Sequence, residues 1–172
     1  MANAENLMRI KVSKNIFIDA TFHHPPEFYQ LLIIMYKDII TGLKIPGIYV
    51  LMNSKKEILY HYIFESIIKL LTDDKNKEIQ FETIVTDQEP GLVNVISKIF
   101  PKSQRIACQF HYKQDILRNI KSYGLYKDNF KEESINLLKD LGKIPFIHKG
   151  DMNIFDEECK RLEKNIQIII IF

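Results

Sequence analysis

The chain has 172 residues, of which 46% are hydrophobic and 27% charged, with a formal net charge of +2. This is material for one compact core, and the charge excess is too small to mark a nucleic-acid protein by itself, so composition neither implies nor excludes DNA. Two cysteines make no disulfide framework and no apolar run reaches the roughly 20 residues that span a bilayer, which together point to a soluble intracellular protein without a membrane span.

Residues 1–14 lack the basic-then-apolar order of a signal peptide and read as an N-terminal tail. From Ile16 to Phe22 the residues alternate, with Ile16, Ile18, Ala20 and Phe22 on one face and Phe17, Asp19 and Thr21 on the other, which predicts a strand. His23-His-Pro-Pro26 stops it, because proline has no N–H to donate and restricts its predecessor, and the apolar run Phe28 to Tyr36 predicts a second strand returning as a hairpin. A turn through Gly42 leads to a third strand over Gly47 to Met52.

At Ser54 the period changes. Ile58, Leu59, Tyr62, Ile63, Ile67, Leu70 and Leu71 recur at helical spacing, and Ser54 with Glu57 three residues on has the form of a capping box. Phe81 to Thr86 predicts a fourth strand, and Pro90 then opens a helix with Leu92, Val93, Ile96, Ile99 and Phe100 inward. Arg105 to Phe110 predicts a short fifth strand, followed by a helix from about His111 to Tyr123 that turns Ile116, Leu117 and Ile120 inward. Phe130 to Leu141 and Phe155 to Lys164 predict two further helices, and the terminal Ile168 to Phe172 is a β-branched run suited to an edge strand or to a chain cut short.

Three strands, a helix, a strand, a helix, a strand and a helix is the order of an RNase H-like α/β domain: a mixed five-stranded sheet flanked by helices, with the first strand central and next to the fourth. Other α/β layer folds share the element count. The expected organisation is a tail over 1–14, a core over 15–123, and over 124–172 a partial helical C-terminal extension that begins an insertion region and is possibly truncated. In this order Asp19 and Asp87, each at the end of an apolar strand, fall on neighbouring strands. A carboxylate in such a place must be paired, hydrogen-bonded or bound to a cation, so both are candidate metal ligands. Taken singly, Asp19 also suits a strand-end aspartate bonded to backbone, and Asp87 a helix cap ahead of Pro90.

Ile18-Asp-Ala-Thr-Phe22, Tyr29-Gln-Leu-Leu-Ile33, Val85-Thr-Asp-Gln-Glu-Pro-Gly-Leu92, Phe100-Pro101 and Cys108-Gln-Phe-His111, in that order and spacing, resemble the transposase domain of Mutator-like elements over about Asn15 to Tyr123. The resemblance implies metal-dependent DNA strand cleavage and transfer on an RNase H-like core, with Asp19 and Asp87 matching the first two of three acidic ligands for Mg2+ or Mn2+. It further implies a nuclear protein that engages DNA at transposon ends or target, weakly in this chain, and that can self-associate as a homo-oligomer. Cys108 and His111 match a motif of the family; a small buried thiol and a histidine at a helix start is the plainer reading of the same residues. A tetrahedral zinc site would need a second pair, and Cys159 and His148 lack a paired short spacing.

The third acid has no counterpart in sequence. Glu157 and Glu158 lie nearest a plausible position, yet their surroundings read as the solvated face of a helix and neither is assigned. The expectation is therefore a catalytic-core fragment inactive on its own, with a non-enzymatic DNA- or protein-binding module of the same descent as the alternative. Lys98, Lys102, Arg105, Lys113, Arg118 and Lys121 are candidates for a phosphate-binding edge, although cations on an exposed helix face are ordinarily just solvated. With some fourteen residues ahead of the first strand, sequence-specific recognition of element ends is not expected.

Overall fold

The computed structural model describes residues 2–21, 28–72, 79–124 and 131–146, and beyond them Asn153, Asp156, Glu157, Lys160, Arg161 and Lys164. These form two compact units, Met1–Cys108 and Gln109–Phe172. The helix expected to complete the core, from about His111 to Tyr123, falls in the second.

The first unit is built on β1 (Asn15–Thr21), β2 (Gln30–Lys37), β3 (Lys44–Met52), β4 (Thr83–Thr86) and β5 (Gln104–Ala107), with α1 (Ala4–Val12), α2 (Glu57–Leu71) and α3 (Pro90–Ile99). The five strands run in the order β3-β2-β1-β4-β5, so the expected mixed sheet with β1 at its centre is present. β1 and β2 are antiparallel, as are β2 and β3, whereas β1 with β4 and β4 with β5 are parallel. Alternation decides the faces. Ile16, Ile18, Leu32, Ile34, Tyr36 and Ile84 are buried, and their register partners align them on one side, against Tyr60, Phe64, Ile67 and Leu71 of α2 and Leu92, Val95 and Ile96 of α3. The opposite side carries the half-buried Phe17, Asp19, Thr21, Ile33 and Val85.

The structure corrects several local expectations. Residues 1–14 are not a tail throughout, because Ala4–Val12 is helical: Asn3 caps it, its side chain accepting the Asn6 N–H at 2.7 Å, and Ile10 is buried in the core. Ser54 does not cap α2. The residue at that position is Lys56, which makes no side-chain bond, and the Ser54 hydroxyl only receives the Lys56 N–H at 3.5 Å. β3 begins at Lys44 rather than Gly47 and tolerates Pro46 because it is an edge strand, with a register shift in β2 at Ile34/Met35 opposite. β4 starts two residues later than expected, Phe81 leaving the ladder to pack on Phe100 with ring centroids 5.4 Å apart. β5 ends at Ala107, since Gln109 already begins the next helix.

The second unit contains α4 (Gln109–Ser122), α5 (Lys131–Leu141) and a 3-10 turn at Ile144–Phe146. It has its own apolar cluster, in which Ile116, Leu138, Leu141 and Ile144 surround the buried Ile120. The Tyr112 hydroxyl donates to the Leu141 carbonyl at 3.1 Å and ties α4 to the end of α5. Asp156, Glu157, Lys160, Arg161 and Lys164 are helical, in agreement with the last predicted helix, while the expected terminal strand lies outside the described residues.

Candidate functional site

Asp19 is near the carboxyl end of β1, and Asp87 is the first residue after β4. The parallel ladder between the two strands pairs Asn15 with Thr83, Ile16 with Ile84 and Phe17 with Val85. Each pair is separated by the same interval in sequence as Asp19 and Asp87, which lie beyond the last pair of the ladder. Side chains at one register position of parallel strands share a face, and adjacent strands lie about 4.8 Å apart. Asp19 is on the face opposite α2 and α3, with Phe17 and Val85. The pairing with β4 ends at Phe17 while the pairing with β2 continues to Thr21, so both acids lie at the carboxyl edge of the sheet where β1 and β4 cease to be paired.

The local chemistry around each acid differs. One oxygen of Asp19, Oδ1, is shut off from solvent, although the side chain as a whole is half-buried. Asp87 is held by the loop that follows it: its Oδ1 accepts the Glu89 N–H at 3.2 Å, and its carbonyl accepts the Thr86 hydroxyl at 2.8 Å. Asp87 is thus not the residue that caps α3. Glu89 takes that place, its Oε1 receiving the Gly91 N–H at 3.2 Å ahead of Pro90 in the first turn. Sequence reasoning passed over Glu89 because glutamate is an uncommon N-cap, yet the Glu-Pro-Gly order before an apolar run is itself a helix-start signal.

Behind this edge, on the core side, lies a small polar group that the sequence did not reveal. Gln30, 0% exposed, donates from Nε2 to the Tyr60 hydroxyl at 2.8 Å and to Met52 Sδ at 3.1 Å. Burial, and then the neighbouring Glu89 carboxylate, push the Tyr60 phenol above its ordinary range, so it stays protonated and able to donate.

Carboxylates are hard oxygen donors, which suit Mg2+ or Mn2+ rather than a soft metal. Among the described residues no group of three or more His, Cys, Asp or Glu side chains is placed to hold an ion. Glu157 is exposed on a helix, as its surroundings predicted, and Glu158 lies outside the described residues.

Cys108 ends the first unit as a half-buried free thiol, its N–H donating to the Thr86 carbonyl at 2.7 Å in continuation of the β4–β5 ladder. His111 is half-buried in the first turn of α4, in the second unit, with its ring edge-on to Phe110 at 5.6 Å. Cys159 and His148 lie outside the described residues. Of the candidate phosphate-binding cations, Lys98 is ion-paired with Glu57 at 2.6 Å and Arg118 with Asp115.

No helix among the described residues is long and apolar enough to cross a membrane. A sequence model described as the MULE transposase domain matches residues 15–115, more than half the chain, beginning at the first residue of β1. No curated protein matches the chain.

Proposed function

This chain belongs to the MULE transposase domain family, and from that premise we propose that it is the acidic core of a DNA transposase, with Asp19 and Asp87 as ligands for Mg2+ or Mn2+. The observation that supports the reading is that Asp19 and Asp87 are separated by the same interval as every pair of the β1–β4 ladder and both lie beyond its carboxyl end. Their role is to hold and orient, not to shuttle protons. A bound divalent pair would stabilise charge on the attacking and leaving oxygens of a phosphoryl transfer. Asp19, on the central strand with one oxygen turned from water, and Asp87, held by the Glu89 N–H, would be two of its ligands.

Such chemistry calls for a third acid, and none is assigned among the described residues. We therefore expect weak or no strand cleavage from this chain alone, with DNA as its partner, a nuclear site of action and homo-oligomers as further parts of the proposal. The test is Mn2+ titration of the intact chain followed by a plasmid-nicking assay. Wild-type protein is expected to bind Mn2+, Asp19→Asn and Asp87→Asn each to remove that binding, and any nicking to vanish with EDTA. Wild-type protein that binds DNA but no Mn2+ would overturn the metal reading in favour of a non-enzymatic binding module.

A further inference from the structure

The second unit carries an open cavity of about 740 Å3 beside the end of α5, and the charge on its walls is one-sided. Lys113 comes from α4, Lys139 from the last turn of α5, Lys143 from just beyond it, and Arg161 from the helical residues that follow. Against these four cations stands one carboxylate, Asp140, and the rest of the lining is neutral. Asp140 is already engaged: its Oδ1 lies 2.8 Å from Lys143 Nζ and its Oδ2 2.8 Å from Arg161 Nη2. Lys143 and then Arg161 hold its carboxyl below the ordinary range, so it stays ionised. Lys113 and Lys139 are exposed and make no ion pair or hydrogen bond among the described residues.

The carboxyl end of a helix offsets only about half an elementary charge, which leaves the walls an excess of roughly two to three positive charges. Cations gathered in this way repel one another, and the fold does not require them, because the apolar cluster around Ile120 forms without any of the four. The backbone nevertheless brings them together. The Tyr112 hydroxyl fastens α4 to the Leu141 carbonyl, and the next residue, Lys113, runs its stem close over Gly142, where a Cβ would stand 2.8 Å from Lys113 Cε.

A cleft lined by one sign of charge concentrates ions of the other. Here the cations stand on long arms at the rim, the Lys143 side chain 68% and the Arg161 side chain 47% exposed, and they come from separate segments. That spread suits a chain of phosphates rather than one small enclosed anion. Resting on the reading of DNA as the partner, we infer that Lys113, Lys139, Lys143 and Arg161 form a seat for the phosphodiester backbone of DNA, built wholly within the second unit. The seat supplies affinity and reads no base.

The test is binding of a short fluorescent duplex of arbitrary sequence to the full chain across a range of salt, in EDTA so that the acidic edge holds no metal. Lys113→Gln with Lys139→Gln keeps both stems and removes two charges that no carboxylate shares. Each phosphate contact carries a salt slope of about 0.9, so this double variant is expected to flatten the slope of log affinity against log salt by about 1.8 and to bind roughly tenfold more weakly at low salt. Its thermal midpoint should match that of the wild type. Lys37→Gln with Lys69→Gln, two exposed lysines of the first unit, removes the same net charge and should leave the slope nearly unaltered. Equal losses in the two double variants, or none in the first, would overturn the seat while leaving DNA as the partner. Calorimetry showing inorganic phosphate held more tightly than the duplex would overturn it in favour of a small-anion site. Wild-type protein that binds no duplex would remove the DNA reading itself.

Discussion

At the scale of single residues, the acids of this chain divide by what satisfies them. Asp38, at the end of β2, is buried and fully accounted for: its Oδ2 accepts both the hydroxyl and the N–H of Thr41, at 2.7 and 2.9 Å, and its Oδ1 accepts Arg9 Nη1 at 3.0 Å. Thr41, through its hydroxyl and then its N–H, and the Arg9 guanidinium hold the Asp38 carboxyl below its ordinary value, against the opposing effect of burial. A depressed carboxylate stabilises the fold at every pH above its unfolded value, about 3.9, and that contribution fades as the pH falls through the lower folded value. Asp38→Asn is therefore expected to lower the denaturation midpoint at pH 7 and to lose its effect progressively below about pH 4. Denaturant titrations at pH 7 and pH 3 would show the two proteins far apart in the first and converging in the second. Asp19 and Asp87 were singled out from sequence because an apolar β-branched run ended on a carboxylate. Gln30 and Tyr60 were not, because a glutamine at a strand start and a tyrosine on an apolar helix face look ordinary until the fold places one against the other.

Elements were legible where the period was strong. The alternation of β1 and the helical period of α2 and α3 carried through, but the buried face of α2 is turned, with Tyr60 and Phe64 inside and Ile58, Tyr62 and Leu70 exposed, and boundaries moved wherever a tertiary contact overrode a local signal, as at Phe81 and Ser54. α1 was missed although its signals are present: Asn3 as a cap, Glu5 and Arg9 one turn apart with Arg9 Nη2 3.0 Å from Glu5, and Leu7 and Ile10 on one side. The helix is short, and its reason to form is the site that receives it. Gly47 of β3 lies beneath Ile10, and a Cβ there would come within 2.6 Å of Ile10 Cδ1 and 3.2 Å of Tyr36 Cδ1. Gly47→Ala is expected to destabilise by about 1–3 kcal/mol through overpacking, with Ile10→Val relieving part of it in the double variant. Leu92, 0% exposed in α3, is the converse case: Leu92→Ala leaves a void and is expected to cost roughly 2–5 kcal/mol, read from thermal or denaturant unfolding.

For the molecule as a whole, the two apolar clusters make a testable division. Among the described residues the large cluster draws on α1, α2, α3 and the sheet, whereas the small one around Ile120 draws on α4, α5 and the turn after α5. Ile120→Ala in the intact chain is expected to lower protection of α4 and α5 amides by a cost of about 2–5 kcal/mol, while amides of β1 and β2 exchange as in the wild type. Loss of protection throughout the sheet would show instead that the chain unfolds as one cooperative body.

Sequence alone determined the class of fold, the hydrophobic faces of the strands and the placing of an acid near the end of β1 and another just after β4, because a period of two and a change to 3.6 are written in the spacing of apolar residues. It also carried the family, through short motifs in a fixed order. Only the tertiary structure decided the register in which the strands pair, that Glu89 rather than Asp87 caps α3, that the N-terminal segment is a helix over Gly47, and that Gln30 and Tyr60 meet behind the acidic edge. Those outcomes depend on contacts between residues dozens of positions apart, and no local pattern encodes the packing that brings them together.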